Sequence, residues 1–308
     1  MSALTKIDGK ALFGATRWQR MVTPSNWQGA ALVVHAWAVI ALAAAFAVAL
    51  PHPLVVIAAI IIIGSRQLGL SILMHDAAHG VLLKDRRYND WTGQWLCALP
   101  VGLDMHAYRG YHMKHHRFAQ QAEDPDLPLS AKFPVSRSSM LRKLLRDLTG
   151  WTFLRVRVVP LLADLRHARM PSLADRAWLV SSVAGLTLAA AFGYALWFFL
   201  LWMLPLATWQ MLVLRIRNIG EHACVGNGDD PWHLARTTQA GWLGRALLAP
   251  YYVNFHAEHH LFMTVPCYRL PSVHAALDEA GLLQAHDVPI ASHYGSVLAA
   301  ATASGGRQ

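Results

Sequence analysis

Charged side chains are missing from three long parts of the sequence. Gly29–Leu50 has none over 22 positions, and Leu54–Met74 is apolar except at Arg66 and Gln67. Ala177–Leu214 runs 38 residues without a charge. At 1.5 Å per residue, each of the first two can cross a hydrocarbon core of about 30 Å. Pro51-His52-Pro53 separates them as a turn. The third is long enough for two crossings with a bend near Gly193–Tyr194. The pattern predicts an all-α integral membrane fold of four transmembrane helices in two hairpins.

Two shorter stretches behave differently. Thr92–Leu103 is apolar but too short to span, which suits a re-entrant or buried helix. From Met140, Leu141, Leu144, Leu145 and Leu148 follow helical spacing, with Arg142, Lys143, Arg146 and Asp147 between them. Such a helix either lies on the membrane surface or covers a solvated cap. Arg155, Arg157, Arg166 and Arg169 continue the basic face. Arg66 is expected to snorkel, to pair with a buried carboxylate or to meet a substrate headgroup.

Composition sharpens the membrane assignment. The chain has 308 residues, 55% apolar and only 15% charged, against roughly 25% charged in soluble domains. That balance excludes a disordered chain, a collagen and a disulfide scaffold. The net charge is nevertheless +9, from 27 Lys+Arg against 18 Asp+Glu. Apart from Arg66, every cation lies in the N-terminal, middle or C-terminal polar segment. An even number of crossings puts all three on one side, and the positive-inside rule makes that side cytoplasmic. The excess charge therefore describes topology, not a nucleic-acid footprint. Residues 1–28 lack the apolar core of a secretory signal, so no cleavage is expected. They form an N-terminal cytoplasmic segment, and 281–308 a C-terminal tail, of a single membrane domain over 1–308. A bacterial inner membrane is the expected location. Cys97, Cys224 and Cys267 form no C-x-x-C pair and read as reduced thiols.

Nine of the 17 histidines fall in tight groups. His75 and His79 follow the second apolar stretch, and His222 follows the fourth expected crossing. His112, His115 and His116 form one H-x-x-H-H, and His256, His259 and His260 form another. Residues three or four apart share a helix face, so each group can aim several imidazoles at one place. All lie on the same predicted side. Nine imidazoles exceed one ion's needs and suit two metals with open positions; imidazole alone accommodates iron, copper, zinc or nickel. His35, His52, His106, His167, His233, His274, His286 and His293 stand apart and read as structural. No His-Glu-x-x-His or Glu-x-x-His occurs, which removes support for zincin proteolysis and for a ferritin-like carboxylate site.

These residues resemble the three histidine boxes of the integral-membrane fatty acid desaturase superfamily. The matching motifs are H-D-A-A-H, H-M-K-H-H and N-F-H-A-E-H-H. Asp124-Pro125-Asp126 and Pro266–Pro271 are also similar to that family. The resemblance implies a cytoplasmic helical cap holding a histidine-ligated di-iron centre. It implies His75, His79, His112, His115, His116, His222, His256, His259 and His260 as metal ligands. It also implies oxygen-dependent attack on an unactivated C–H bond of a lipid chain, with dioxygen as co-substrate. Asn218 matches the N-x-x-x-H spacing whose Asn supports a water at one metal. Asp76 and Glu258 are candidates to accept an N–H from a ligating imidazole, or else form simple salt bridges.

Box one is H-x-x-x-H, shorter than the box of acyl-CoA desaturases, which leaves acyl-lipid or free lipid substrates. The chain has no haem signature and no iron–sulfur cysteine set. Electrons must come from an external ferredoxin-like or cytochrome-type donor, steered to the basic face. A lipid chain is the expected substrate, the bilayer the setting, and no nucleic acid a partner. Desaturation is favoured over hydroxylation or carotenoid ketolation, which use similar boxes. A metal transporter is the distant alternative, since its ligands would lie along a pathway inside the spans.

Overall fold

The computed structural model describes residues 7–167, 170–226 and 229–303. The first long helix, α1, is Asn26–Ala49, and Ser25 accepts a hydrogen bond from Gln28 N–H at its start. After the turn at Leu50–His52, α2 is Pro53–His79. Proline at its first position costs no hydrogen bond there, and His52 accepts from Leu54 N–H. Gly80 ends α2 in the left-handed region at φ 77°, where a residue with a Cβ is strained.

α2 is the axis of the molecule. Every residue from Ile63 to Ala78 is buried. α1 covers one side, whereas its own Val34, Leu42 and Phe46 stay exposed, as lipid-facing residues do. Two further helices, α5 (Leu173–Ala191) and α6 (Ala195–His222), meet at a turn on Gly193–Tyr194, where the apolar pattern placed a bend. α6 runs beside α2 in the same direction. Trp209 Nε1 donates to Ser65 Oγ at 2.9 Å, and Gln67 Nε2 donates to Trp202 O at 2.9 Å. Gly64 packs on Trp209, and His79 and His222 both reach one histidine cluster, so α2 and α6 finish at the same end.

Among the described residues, three helices are long and apolar enough to cross a membrane: Ala15–Ala49, Pro53–His79 and Ala195–His222. α5, which contains the remaining expected crossing, has only 19 residues, with Asp175 in its first turn. The following Arg176 shortens its apolar run further, below the roughly 20 residues of a typical span. The helices also run past their apolar stretches. His75, His79 and His222 lie within the last turns of α2 and α6, not beyond them as the sequence pattern suggested. No proline or glycine interrupts either helix after residue 69 or between 206 and 219, so nothing stops it at the last apolar residue.

The other elements gather at the histidine end. Thr92–Ala98 is a short helix packed against α2, with Gly93, Gln94, Cys97 and Ala98 buried and Trp95 exposed. α3 (Met105–Phe118) starts at Asp104, whose carboxylate accepts from His106 and Ala107 N–H. α4 (Arg137–Leu148) is the expected amphipathic helix, with Leu141, Leu145 and Leu148 exposed. Asp147 does not join its solvated face: it is fully buried and accepts from Arg215 Nη2 at 2.9 Å, pinning α4 to α6. The exposed apolar face continues through Leu154, Val159 and Leu162. Arg169 of the predicted basic face lies outside the described residues.

α7 (Trp242–Leu247) folds back against α2, and α8 (His256–Leu261) carries the third histidine group. Two short parallel strand pairs join Val135–Ser136 to Thr302–Ala303 and Thr237–Thr238 to Ile290–Ala291. The expected C-terminal tail is thus woven into the fold over its described part. The N-terminal segment is packed too: Trp18 meets Phe262 edge-on at 5.1 Å, and Ser25 N–H donates to Tyr268 Oη at 2.7 Å. One apolar core extends from Met21 to Tyr294.

Candidate metal centre

Four helices bring all nine predicted histidines together. α2 supplies His75 and His79, α3 supplies His112, His115 and His116, α6 supplies His222, and α8 supplies His256, His259 and His260. They form two adjoining groups. In the first, one ring nitrogen each from His75, His79, His112, His116 and His259 lies within 4.8 Å of all the others. In the second, His222 and His256 place Nε2 atoms 2.9 Å apart, His256 and His260 3.1 Å, and His115 and His260 3.3 Å.

The division cuts across the sequence groups. At 3.6 residues per turn, neighbours in sequence point about 100° apart, whereas residues i and i+4 nearly align. His112 and His116 therefore serve the first group and His115 the second. On α8, His256 and His260 serve the second group and His259 the first. The expectation that each motif aims at one place is corrected accordingly: each H-x-x-H-H aims at two.

The electron pairs at these nitrogens call for a cation. His115 Nδ1 lies 2.8 Å from buried Asp124 Oδ1, and His222 Nδ1 lies 3.2 Å from Leu234 O. Both partners are acceptors, so Nδ1 carries the proton and Nε2 presents a lone pair. Those lone pairs face other imidazole nitrogens at hydrogen-bond distance. In the first group His75 Nε2 and His79 Nε2 are buried without a hydrogen-bond partner. Burial and then neighbouring imidazoles push the pKa of His112, His116, His256, His259 and His260 well below 6.5. Neutral, convergent imidazoles of this kind fit metal ions, and the residues present could hold two.

Surrounding residues tie together the helices that carry the rings. Asp76 accepts from Cys267 N–H at 2.8 Å and lies 3.5 Å from His75 Nδ1, tying α2 to the loop after α8. Arg109 donates to Asp90 Oδ1 at 2.6 Å, and to Ala77 and Ala78 carbonyls, locking α3 onto the end of α2. Glu221 accepts from Arg217 Nε at 2.6 Å and lies 3.5 Å from His256 Nδ1. Asp124, Glu221 and Arg109 received no role from sequence; only the fold shows that each faces a histidine or its backbone. Asp124 lay within a stretch noted for resemblance, and Glu221 directly precedes His222.

Glu258 points elsewhere. It accepts from Thr237 Oγ1 and lies 2.6 Å from His274 Nδ1, a contact that raises the His274 pKa. Asn218 is half-buried on α6, one turn before His222. Several lone histidines have structural partners: His52 caps α2, His286 stacks on Trp232 at 4.1 Å, and His233 pairs with Asp230 at 3.0 Å. All three cysteines are free thiols.

Long apolar helices that end in a buried, doubly divided histidine cluster fit a multi-pass membrane protein whose histidines could hold metal. The fatty acid desaturase family model matches residues 50–294, and the chain belongs to that family; it is an oxidoreductase. It is 29% identical over 211 residues to sphingolipid delta(4)-desaturase DES1 of Drosophila melanogaster, covering 66% of this chain and 60% of the relative. It is 28% identical over 235 residues to a beta-carotene ketolase of Paracoccus sp. (strain N81106 / MBIC 01143), covering 74% and 83%. Dihydrorhizobitoxine desaturase of Bradyrhizobium elkanii is 26% identical over 266 residues, covering 80% and 74%. The chain thus spans less than two thirds of the sphingolipid relative but most of the ketolase.

Proposed function

We propose that the protein is a di-iron, dioxygen-dependent membrane desaturase acting on a fatty acyl or related lipid chain. The observation that carries the reading is the convergence of nine imidazole lone pairs into two adjoining groups. His75, His79, His112, His116 and His259 would hold one iron, and His115, His222, His256 and His260 the other. Bound iron supplies the oxidising power, drawn from dioxygen, to attack an unactivated C–H bond. The protein's residues position and shield. Asp124 and Leu234 keep His115 and His222 in the tautomer that faces the metal. Asn218 would support a water at the second position, and Asp76 and Glu221 stand 3.5 Å from His75 Nδ1 and His256 Nδ1.

A small cavity beside both groups is lined by His75, His256, His259, Ile72, Val253 and Leu270. It holds only about 10 Å³, and Asp76 and Cys267 complete its lining. In this reading α1, α2, α5 and α6 all cross the bilayer within a single domain. The histidine end faces the cytoplasm of a bacterial inner membrane. A ferredoxin-like or cytochrome-type donor delivers electrons to the basic surface there.

A second reading, carotenoid ketolation, draws support from the 83% coverage of the Paracoccus ketolase. Mass spectrometry of lipids and pigments from an expressing host separates the two. Desaturation removes two hydrogens from an acyl chain. A carbonyl oxygen gained by a carotenoid would replace the desaturase reading with ketolation.

A further inference from the structure

Arg66 is a charged residue that the metal centre leaves unexplained. It lies inside α2 and is 7% exposed. Its Nη2 donates to Ala246 O of α7, and its guanidinium carbon is 5.5 Å from the Tyr251 ring centroid. Among the described residues no carboxylate pairs with Arg66, or with the exposed Arg245 beside that carbonyl. The arginines that do pair are Arg17, Arg86, Arg109, Arg215 and Arg217. A carbonyl and an aromatic face ease a buried cation without neutralising it, and such a charge calls for an anion.

Both arginines line one cleft of about 500 Å³ between α1, α2 and α7. His35 and Tyr251 line it too, and no acidic residue does. Exposed apolar rings mark its level: Trp27 stands at the start of α1, and Trp242 stands beside exposed Leu243 on α7. Indoles so placed belong among lipid headgroups. α1 starts where α2 finishes, so this is the leaflet on the histidine side.

The cleft leads away from the histidines. Leu32, His35 and Val39 line it along one stripe of α1, and Ile62 lies one turn of α2 before Arg66. Val39 and Ile62 therefore form its deeper apolar wall, toward the middle of the bilayer. Toward the histidines the way is shut. A Cβ at Gly69 would come within 2.7 Å of Tyr251 Cε2, so the tyrosine ring lies directly on that turn of α2. Tyr251 Oη is 3.2 Å from His35 Nδ1, which holds the ring across to α1. His75 follows Arg66 by nine positions and so lies on the opposite face of α2. A molecule in the cleft is separate from the metal centre.

We propose that this cleft holds the phosphate of an anionic phospholipid between Arg66 and Arg245, with an acyl chain along Leu32, Val39 and Ile62. A phosphodiester is the anion that a leaflet supplies at headgroup level, and its oxygens match the guanidinium fork. The ammonium of a zwitterionic lipid would find no carboxylate in the lining, so the anionic lipid is preferred. This lipid bridges α1, α2 and α7 and is not the chain presented to the histidines. The inference rests on the membrane setting proposed above and not on the reaction.

Native mass spectrometry of the full chain in detergent tests this, with phosphatidylglycerol and phosphatidylcholine of identical acyl chains as the probes. The expected result is one phosphatidylglycerol retained per chain in preference to phosphatidylcholine. Arg66→Gln and Arg245→Gln should each weaken phosphatidylglycerol about fivefold or more and leave phosphatidylcholine unchanged. Arg142→Gln, an exposed site on α4 outside the cleft, should change neither. Arg245 is exposed, so its variant decides the matter even if Arg66→Gln fails to fold. Equal retention of the two lipids, wild-type affinity in Arg245→Gln, or an equal loss in Arg142→Gln overturns the proposal. Displacement of the lipid by inorganic phosphate would make this a site for free phosphate and overturn it too. Binding is read in detergent and without turnover, so its failure is a separate result from a failure of the oxidase reading.

Discussion

At the scale of single residues, the ring nitrogen that faces the metal is decided by what holds the other one. His115 and Asp124 illustrate this most clearly, because both side chains are buried at 2.8 Å. Asp124→Asn removes the anionic acceptor while preserving shape. It should weaken metal binding at the second position about 10- to 100-fold, measured by competition with a chelator; unchanged affinity would remove Asp124 from the site. The histidines also make the metal-free protein acid-sensitive. Their folded pKa values lie below the ordinary 6.5, so below that pH the unfolded chain binds more protons than the folded one. The histidines' contribution to stability is then flat above pH 6.5 and falls as the pH drops beneath it. Thermal melts of metal-free protein at about pH 7.5 and about pH 5.5 should show the lower midpoint at acid pH. A higher midpoint at acid pH would contradict neutral burial. The sequence displayed the nine histidines plainly, because their spacing is local. It could not display Asp124, Glu221 or Arg109 as partners, because their roles depend on contacts across helices.

At the scale of elements, helix ends determine the site. α2 and α6 start at turns and finish with histidines, side by side. Hydropathy located both stretches but ended them too early, since a helix continues wherever its backbone bonds continue. The same local geometry explains the sharing of α3 and α8 between two histidine groups: a 100° step separates His115 from His116. The α5–α6 hairpin was legible from its bend, whereas the shorter apolar run of α5 follows from Asp175 and Arg176 lying inside the helix. If both hairpins cross the bilayer, the turn at His52 and the exposed Cys224 just after α6 lie on opposite faces. An impermeant thiol reagent should label Cys224 from one side of sealed vesicles and the His52→Cys variant from the other. Cys97 and Cys267 are buried and should stay silent. Labelling of both sites from one face would contradict the proposed topology.

At the scale of the whole molecule, a chain with a net charge of +9 and 55% apolar residues is ordered by one polarity. Apolar helices occupy one end; the histidines occupy the other. The family assignment and the geometry converge on that second end, where two adjoining imidazole groups fit two metal ions. The largely helical, apolar character and the grouping of the histidines could be read from sequence because both are repeated, periodic signals. The partition between two groups could not, because each H-x-x-H-H contributes to both. The iron content of protein purified from an iron-replete host tests the central claim most directly. The account predicts two irons per chain, falling to one in His222→Ala, which loses a ligand of the second group only. A wild-type chain that holds a single metal ion, or that is fully active with zinc alone, would contradict it.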